Sequence, residues 1–150
     1  MADLQPASAS PASPDLLTGA AIGRFLIEKR LGEGGMGEVY RAQDTKLKRT
    51  VALKRLAPKL QADSNYRHRF LQEAERASRF TDAHVAALYD VLEERGEIFL
   101  VMEYVEGETL RQRMRRPMTL DQFFEMASQC AEALASAHDR GIVHCDIKPE

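Results

Sequence analysis

The 150-residue sequence contains no tryptophan and only two cysteines, Cys130 and Cys145. Two cysteines cannot build the disulfide framework of a small secreted domain, so they indicate a reducing compartment. No basic stretch followed by an apolar stretch opens the sequence, which argues against a secretory signal. The most apolar run, residues 98–102, is too short to cross a bilayer. These absences predict a cytoplasmic chain without a membrane segment, although a later segment of a longer parent protein could anchor it.

The sequence also lacks a large charge of either sign. It has 21 basic and 23 acidic side chains, a formal net charge of −2. A dedicated nucleic-acid-binding protein is usually clearly basic, so we expect no nucleic-acid partner. Hydrophobic residues make up 44% and charged residues 29% of the chain, as is usual for a soluble globular protein.

The composition changes near residue 22. Residues 1–21 begin with a segment rich in alanine, serine and proline, which has little to bury, and we expect a disordered tail there. Residues 22–150 carry the alternating and helical patterns of a folded domain. The predicted elements are one main helix over residues 64–79 and five strands, namely Phe25–Leu31, Glu38–Ala42, Thr50–Leu56, Val85–Leu92 and Glu97–Tyr104.

A glycine-rich turn, Gly32-x-Gly34-x-x-Gly37, separates the first two predicted strands. Such a turn lets backbone N–H groups approach a polyphosphate, because no Cβ intervenes. The same pattern opens dinucleotide-binding folds, but there it lies between a strand and a helix and is followed by an acidic residue about 20 positions later. Here no helical pattern begins at Gly37, and Lys54 stands where the acidic residue would be. The turn is therefore interpreted as a phosphate-binding hairpin.

The predicted helix over residues 64–79 carries two candidate carboxylates. Phe70, Ala74 and Ala77 share a face at helical spacing, and Glu73 lies beside them. Glu75 is turned roughly 200° away from Glu73, at about 100° per residue. A carboxylate directed inward needs a partner, because an unpaired buried charge is costly. We expect Glu73 to point inward and to pair with Lys54.

A second helix is predicted near the carboxyl end of the sequence. Thr119-x-x-Gln122 has the form of a capping box, which indicates a helix beginning there. Gly141 is placed to end it. The apolar positions form a wide face, which we expect to be uncovered and a liability for solubility. They are Leu120, Phe123, Phe124, Ala127, Cys130, Ala131, Leu134 and Ala137.

Taken in order, these motifs resemble those of a serine/threonine protein kinase, particularly the bacterial kinases similar to eukaryotic ones. The resemblance covers about residues 22–150. It rests on the glycine turn, on Val-Ala-Leu-Lys at 51–54, on Glu73, on Met-Glu-Tyr-Val-Glu-Gly at 102–107 and on His-Cys-Asp-Ile-Lys-Pro-Glu at 144–150. It implies an α+β, protein-kinase-like fold. A five-stranded antiparallel sheet with one main helix would form the N-lobe, about 22–104. A hinge, about 103–107, would lead to an incomplete helical C-lobe, about 108–150.

The resemblance also implies which residues form the site. The predicted catalytic residues are Lys54, Glu73, Asp146 and Lys148. The predicted ATP-binding residues are Leu31, Gly32, Glu33, Gly34, Gly35, Met36, Gly37, Glu38, Val39, Ala52, Lys54, Met102, Glu103 and Val105.

Each group of residues has an expected role by this resemblance. Backbone amides of the glycine turn would cover the phosphates of ATP, and Lys54, paired with Glu73, would hold them. The backbones of Glu103 and Val105 would contact the edge of the adenine. Asp146 would accept the proton of a serine or threonine hydroxyl on a protein substrate, and Lys148 would neutralise the γ-phosphate.

Two departures from the family pattern follow. Cys145 stands where many kinases carry an arginine that pairs with a phosphorylated loop, so we expect activity independent of that pairing. The sequence ends before the family's Mg²⁺ ligands, an asparagine expected next and an Asp-Phe-Gly motif about 15 to 20 residues later. No metal ligand is therefore expected within residues 1–150. We expect this chain alone to be inactive and to be part of a longer protein.

Two further interpretations stay open. A pseudokinase or nucleotide-binding regulatory module would keep the cleft without catalysis, as the missing metal ligands favour for this chain. A small-molecule phosphotransferase of kinase-like fold is disfavoured by the sequence of residues 146–150. The arginines of the segment 111–116 are interpreted as a solvated helix face, with docking of an acidic partner as the alternative.

Overall fold

The structure is a computed structural model that describes residues 17–144 and 147–149. Its main feature is one antiparallel sheet with the strand order β1-β2-β3-β4-β6-β5. The strands are β1 (Ala21–Ile22), β2 (Phe25–Gly34), β3 (Gly37–Asp44), β4 (Arg49–Leu56), β5 (Leu88–Glu94) and β6 (Glu97–Glu103). Between β4 and β5 lie α1 (Pro58–Gln61) and α2 (Ser64–Ser78), and after β6 come α3 (Leu110–Arg113) and α4 (Leu120–His138).

The sheet has one strand more than the five predicted. The added strand, β1, pairs with the start of β2 through Ile22 and Phe25. Leu17 packs against the core, and the N–H of Gly19 donates to Ile27 O at 2.9 Å. Residues 17–21 therefore belong to the fold, and the predicted disordered tail is wrong in that part because these residues have strand and core contacts. Residues 1–16 lie outside the described part of the chain.

Alternation along the central strands divides the sheet into two faces. Tyr40, Leu53 and Val101 stand opposite one another in register, are buried, and form the core with Phe25 and Phe99. The residues between them in sequence point the other way, because successive side chains of a strand alternate. Lys54 is one of these residues. The core therefore fixes which face of the sheet presents the lysine.

The turn between β3 and β4 is organised by a buried carboxylate. Asp44 is fully buried and accepts hydrogen bonds from the N–H groups of Lys46 and Leu47, each at 2.9 Å, and from Arg24 Nε at 3.1 Å. Desolvation opposes the charged form, but the bonds from Leu47, Arg24 and Lys46 outweigh it and lower the pKa of Asp44. These bonds anchor the turn between β3 and β4 in the protein interior.

Helix α4 begins and ends as its sequence indicates. The side chain of Thr119 accepts from the N–H of Gln122 in a capping box, and Gly141, with φ of 70°, follows the helix. The N–H of Ile142 donates to Ala137 O at 3.0 Å, which closes the carboxyl end in the manner of a Schellman motif. Ala133 and Ala137 are buried, whereas the predicted apolar face is exposed at Leu120, Phe123 and Phe124.

Candidate active site

A cleft of about 820 Å³ lies between the sheet and the segment that begins at α3. Residues 31–37, Val39 and Lys54 line it from the sheet. The other wall consists of Thr109, Arg111, Gln112, Arg115 and Lys148. Sites for small molecules commonly have volumes of about 300–1,000 Å³, so the cleft has the size of a ligand site.

The glycine-rich turn covers one side of this cleft. Its hairpin is closed by the pairing of Gly34 with Gly37. A Cβ built on Gly32, Gly34 or Gly35 would meet no heavy atom within 4 Å. The space beside these three glycines is therefore open, and side chains there would fill it. Such open space permits a polyphosphate to approach the backbone N–H groups of the turn.

Position 37 requires glycine because of its backbone conformation and a close contact with neighbouring backbone. Its φ is +139°, and a Cβ would lie 1.9 Å from the carbonyl oxygen of Arg55. The N–H of Ala57 donates to Met36 O at 3.0 Å beside this contact. The carboxyl end of the turn thus lies directly on the backbone at the end of β4.

Lys54 stands on the cleft face of β4. Its neighbours in register are Val39 on β3 and Leu100 on β6, and all three are half-buried. Two residues earlier on the same face, Ala52 stands opposite Met102. The lysine and the predicted ATP-binding residues Val39, Ala52 and Met102 therefore share one face of the sheet.

The predicted hinge follows Met102. The N–H of Glu103 donates to Ala87 O at 2.8 Å, and its side chain accepts from the N–H of Ala87 at 3.0 Å. A contact between Glu103 and a nucleotide base would therefore have to come from its carbonyl. Val105 is exposed.

The orientation predicted for Glu73 is wrong in this structure. Glu73 is exposed, and no ion pair within residues 17–144 and 147–149 includes it. Helix α2 packs on β5 and buries Ala74, with Leu71 and Ser78 lining the groove between the two elements. Glu73 lies about 100° around the helix from Ala74, at the edge of that face. The spacing of apolar residues alone did not fix which face the helix turns to the sheet.

The two glutamates of the turn have different surroundings. Glu33 lines the cleft and pairs with Arg30 at 2.9 Å. The carboxylate of Glu38 pairs with Arg30 at 3.2 Å and with Arg55 at 3.1 Å. Glu38 is absent from the cleft lining, so its side chain is not placed to contact a ligand there.

Apart from Lys148, the wall opposite the sheet was not predicted from the sequence. Helix α3 begins with a capping box in which Thr109 accepts from the N–H of Gln112 at 3.2 Å. The sequence carried this signal, because Thr109-x-x-Gln112 has the same form as Thr119-x-x-Gln122. The N–H of Arg111 donates to Pro149 O at 2.7 Å and so joins α3 to the segment of Lys148. Asp146 and Cys145 lie outside the described residues.

The charge of the cleft suits an anionic ligand. Among the described residues that line it, Lys54, Arg111, Arg115 and Lys148 contribute positive charge, and Glu33 contributes a carboxylate. Together with the open space at the glycines, these cations fit the triphosphate of ATP. Within the described ranges there is no group of three or more His, Cys, Asp or Glu side chains that could hold a metal ion. No helix in the described part of the chain is long and apolar enough to span a bilayer.

Comparison with known proteins identifies the family of this fold and cleft. The family model for the protein kinase domain matches residues 25–150, and the chain belongs to the protein kinase family. The chain is similar to the serine/threonine-protein kinase PknD of Mycobacterium tuberculosis, with 37% identity over 134 residues, or 88% of this chain and 20% of PknD. It is similar to a probable serine/threonine-protein kinase of Clostridium acetobutylicum, with 39% identity over 128 residues, 84% of this chain and 20% of that protein.

A solved structure supports the same assignment. The PknI kinase domain of Mycobacterium tuberculosis, as a C20A mutant, superposes with a TM-score of 0.78 and 32% identity, covering 89% of this chain and 56% of that domain. The predicted protein-kinase fold is therefore confirmed. This chain spans about a fifth of the length of the curated relatives that it matches.

Proposed function

We propose that residues 22–150 bind ATP in this cleft and form part of a protein kinase domain that phosphorylates serine or threonine hydroxyls of a protein substrate. The observation that carries the proposal is the meeting of the glycine turn, Lys54 and Lys148 around one cleft. Three segments far apart in the sequence thus contribute the groups that a triphosphate requires. The proposal also places the domain in the cytoplasm, where ATP is available.

The residues of the chain have separate roles in this proposal. Bound ATP supplies the phosphoryl group, and Mg²⁺ accompanies it as in other kinases. Lys54 and the N–H groups of the turn hold the phosphates by electrostatic attraction in a partly dry cleft. Lys148 neutralises charge at the transferred group, and Asp146 orients the substrate hydroxyl and accepts its proton. Val39, Ala52 and Met102 pack on the adenine.

Glu73 is assigned the role of partner to Lys54 in the ATP-bound arrangement. The Lys–Glu ion pair of a protein kinase forms only when the helix carrying the glutamate is correctly positioned. Since Glu73 is exposed here, the proposal requires α2 to turn by part of a helical step when ATP binds. Ala74 is the one buried residue of α2, and the ion pair between Arg67 and Glu93 joins the helix to β5.

Nucleotide binding by the chain tests the first part of the proposal. We expect ATP to bind in isothermal titration calorimetry, and Lys54→Met to weaken binding by roughly 10- to 100-fold, as expected for loss of a bond between charged groups. The control is Lys59→Met, because Lys59 is exposed on α1 away from the cleft. Equal ATP affinity in the Lys54 and Lys59 variants would contradict the proposed site.

Phosphoryl transfer tests the second part. The protein is purified as its gene encodes it, and radioactive γ-phosphate is followed from ATP into casein. We expect incorporation on serine and threonine that is lost in Asp146→Asn. Binding of ATP without transfer would instead support the nucleotide-binding regulatory module.

A further inference from the structure

A continuous chain of ion pairs lies beside the glycine turn. Arg30 Nη1 contacts Glu33 Oε2 at 2.9 Å and Glu38 Oε1 at 3.2 Å. The second oxygen of Glu38 contacts Arg55 Nη1 at 3.1 Å. Arg55 in turn binds both oxygens of Glu97, with Nε to Oε2 at 3.2 Å and Nη2 to Oε1. These five side chains join β2, β3, β4 and β6.

Glu38 is the centre of this chain of charges. It is the residue after Gly37, and its two oxygens accept from arginines on opposite neighbouring strands. The side chains of Glu38 and Arg55 are each 18% exposed, and that of Arg30 is 16% exposed. Water and salt screen such pairs less than fully exposed ones, whose contribution is usually small. The bond with Glu97 raises the pKa of Arg55, and the bond with Glu38 adds to this against desolvation.

Glu38 and Arg55 lie on the face of the sheet opposite the cleft, whereas Glu33 at the end of the chain of ion pairs lines the cleft. Glu38 and Arg55 are partners in register, and the next partners are Val39 and Lys54. Since side chains alternate along strands, the first pair points away from the face that carries Lys54. Glu38 and Arg55 therefore cannot contact a ligand in the cleft directly, and any effect on binding must pass through the backbone.

The backbone at the end of the glycine turn contacts the backbone at the end of β4 directly. Gly37 lies against the carbonyl of Arg55, so closely that a Cβ would come within 1.9 Å of it. Met36 O accepts from the N–H of Ala57 at 3.0 Å. The carboxyl end of the turn thus rests on residues 55–57, and the pair Glu38–Arg55 joins the same two segments through side chains.

We propose that Glu38 and Arg55 are positioning residues, which hold the glycine turn at the height above Lys54 that contact with phosphates requires. This inference rests on the proposed binding of ATP. It predicts that the two residues affect binding of the phosphates more than binding of the adenosine part of the ligand, because the proposed site places the phosphates under the turn.

Comparison of ATP with adenosine tests this inference. We expect Glu38→Gln, which keeps the shape of the side chain and removes its charge, to weaken ATP binding by roughly three- to tenfold, within the usual range of coupling between neighbouring groups. Adenosine binding and the melting temperature should stay nearly unchanged. The control is Glu28→Gln, because Glu28 forms an ion pair with Arg41 on the same hairpin but farther from the turn.

Two additional variants separate positioning from general stabilisation. Arg55→Lys keeps a positive charge without the fork of the guanidinium, and we expect it to recover part of the ATP affinity lost in Arg55→Met. The double variant Glu38→Gln, Arg55→Met should bind ATP about as weakly as Arg55→Met alone. Either change by itself already breaks the ion pair between Glu38 and Arg55, so the second change has no further effect. Equal weakening of ATP and adenosine, or additive losses, would overturn the inference.

A measurement without ligand keeps the inference separate from the proposed function. In hydrogen–deuterium exchange, amides of residues 32–37 should exchange faster in Glu38→Gln than in Glu28→Gln. If the unaltered chain bound neither nucleotide, the proposed function would fail, yet faster exchange would still support the positioning of the turn. Unchanged exchange in Glu38→Gln would refute it.

Discussion

Replacement of Gly37 by alanine gives the sharpest test of how the glycine turn is built. Two features of the structure oppose a side chain there. The φ of +139° is a conformation that residues with a Cβ rarely adopt, and the Cβ would come within 1.9 Å of Arg55 O and 3.0 Å of Ala57 N. All of these neighbours are strand or turn backbone, so no flexible side chain can move aside.

The magnitude follows from these two features. A sparsely populated backbone conformation costs about 1–3 kcal/mol for a residue other than glycine. The contact with the Arg55 carbonyl adds to this, because β3 or β4 must shift to relieve it. We therefore expect Gly37→Ala to lower the free energy of unfolding by at least about 2 kcal/mol, which is roughly a thirtyfold change in the folding equilibrium. For a chain of this size, that lowers the melting temperature by roughly 4–8 °C.

The matched control is Gly35→Ala in the same turn. A Cβ at Gly35 meets no atom within 4 Å, so we expect a change in stability within about 0.5 kcal/mol. Urea unfolding followed by circular dichroism measures both variants. Equal unfolding midpoints for Gly37→Ala and the unaltered chain would refute the steric reasoning.

Two other predictions concern stability in acid and self-association. The lowered pKa of Asp44 means that its carboxylate stabilises the fold above the unfolded-state pKa, near 4, and that this contribution is lost as the pH falls through the folded-state pKa. Asp44→Asn should therefore lower the urea midpoint at pH 7 and lessen its fall between pH 5 and 3, whereas parallel curves would contradict this assignment. Phe124 is 61% exposed on α4, and Phe124→Glu should raise the monomer fraction in sedimentation velocity without changing ATP affinity. Unchanged sedimentation would show that this face does not drive association.

Much of the sheet was predictable because its signals are local. The strand bounds over residues 25–56 and 97–103 agree with the predicted ones to within about three residues. The capping box at Thr119 and the glycine at 141 correctly indicated the bounds of α4. Each of these features depends on a few consecutive residues whose spacing or backbone freedom permits one conformation. The two-residue strand β1 was missed, since two residues carry no period.

The candidate site was predictable only in part. Lys54 lines the cleft because β4 alternates and the buried Leu53 fixes its opposite face, a consequence that the sequence pattern already contains. The exposed position of Glu73 could not be read in the same way. Its direction depends on how α2 is rotated against β5, and the apolar residues of the helix permit more than one rotation.

The sequence by itself determined the glycine turn, the lysine on β4 and the membership of a family, because these reside in short motifs with fixed spacing. The tertiary structure decided what stands opposite them. Arg111, Arg115 and Lys148 reach the cleft only because the chain after β6 folds back beneath the turn. Alternation along β3 turns Glu38 away from the cleft, and the tertiary structure decided that Arg30 and Arg55 meet it there. Contacts between distant segments depend on the packing of whole elements, and no local pattern of residues specifies that packing.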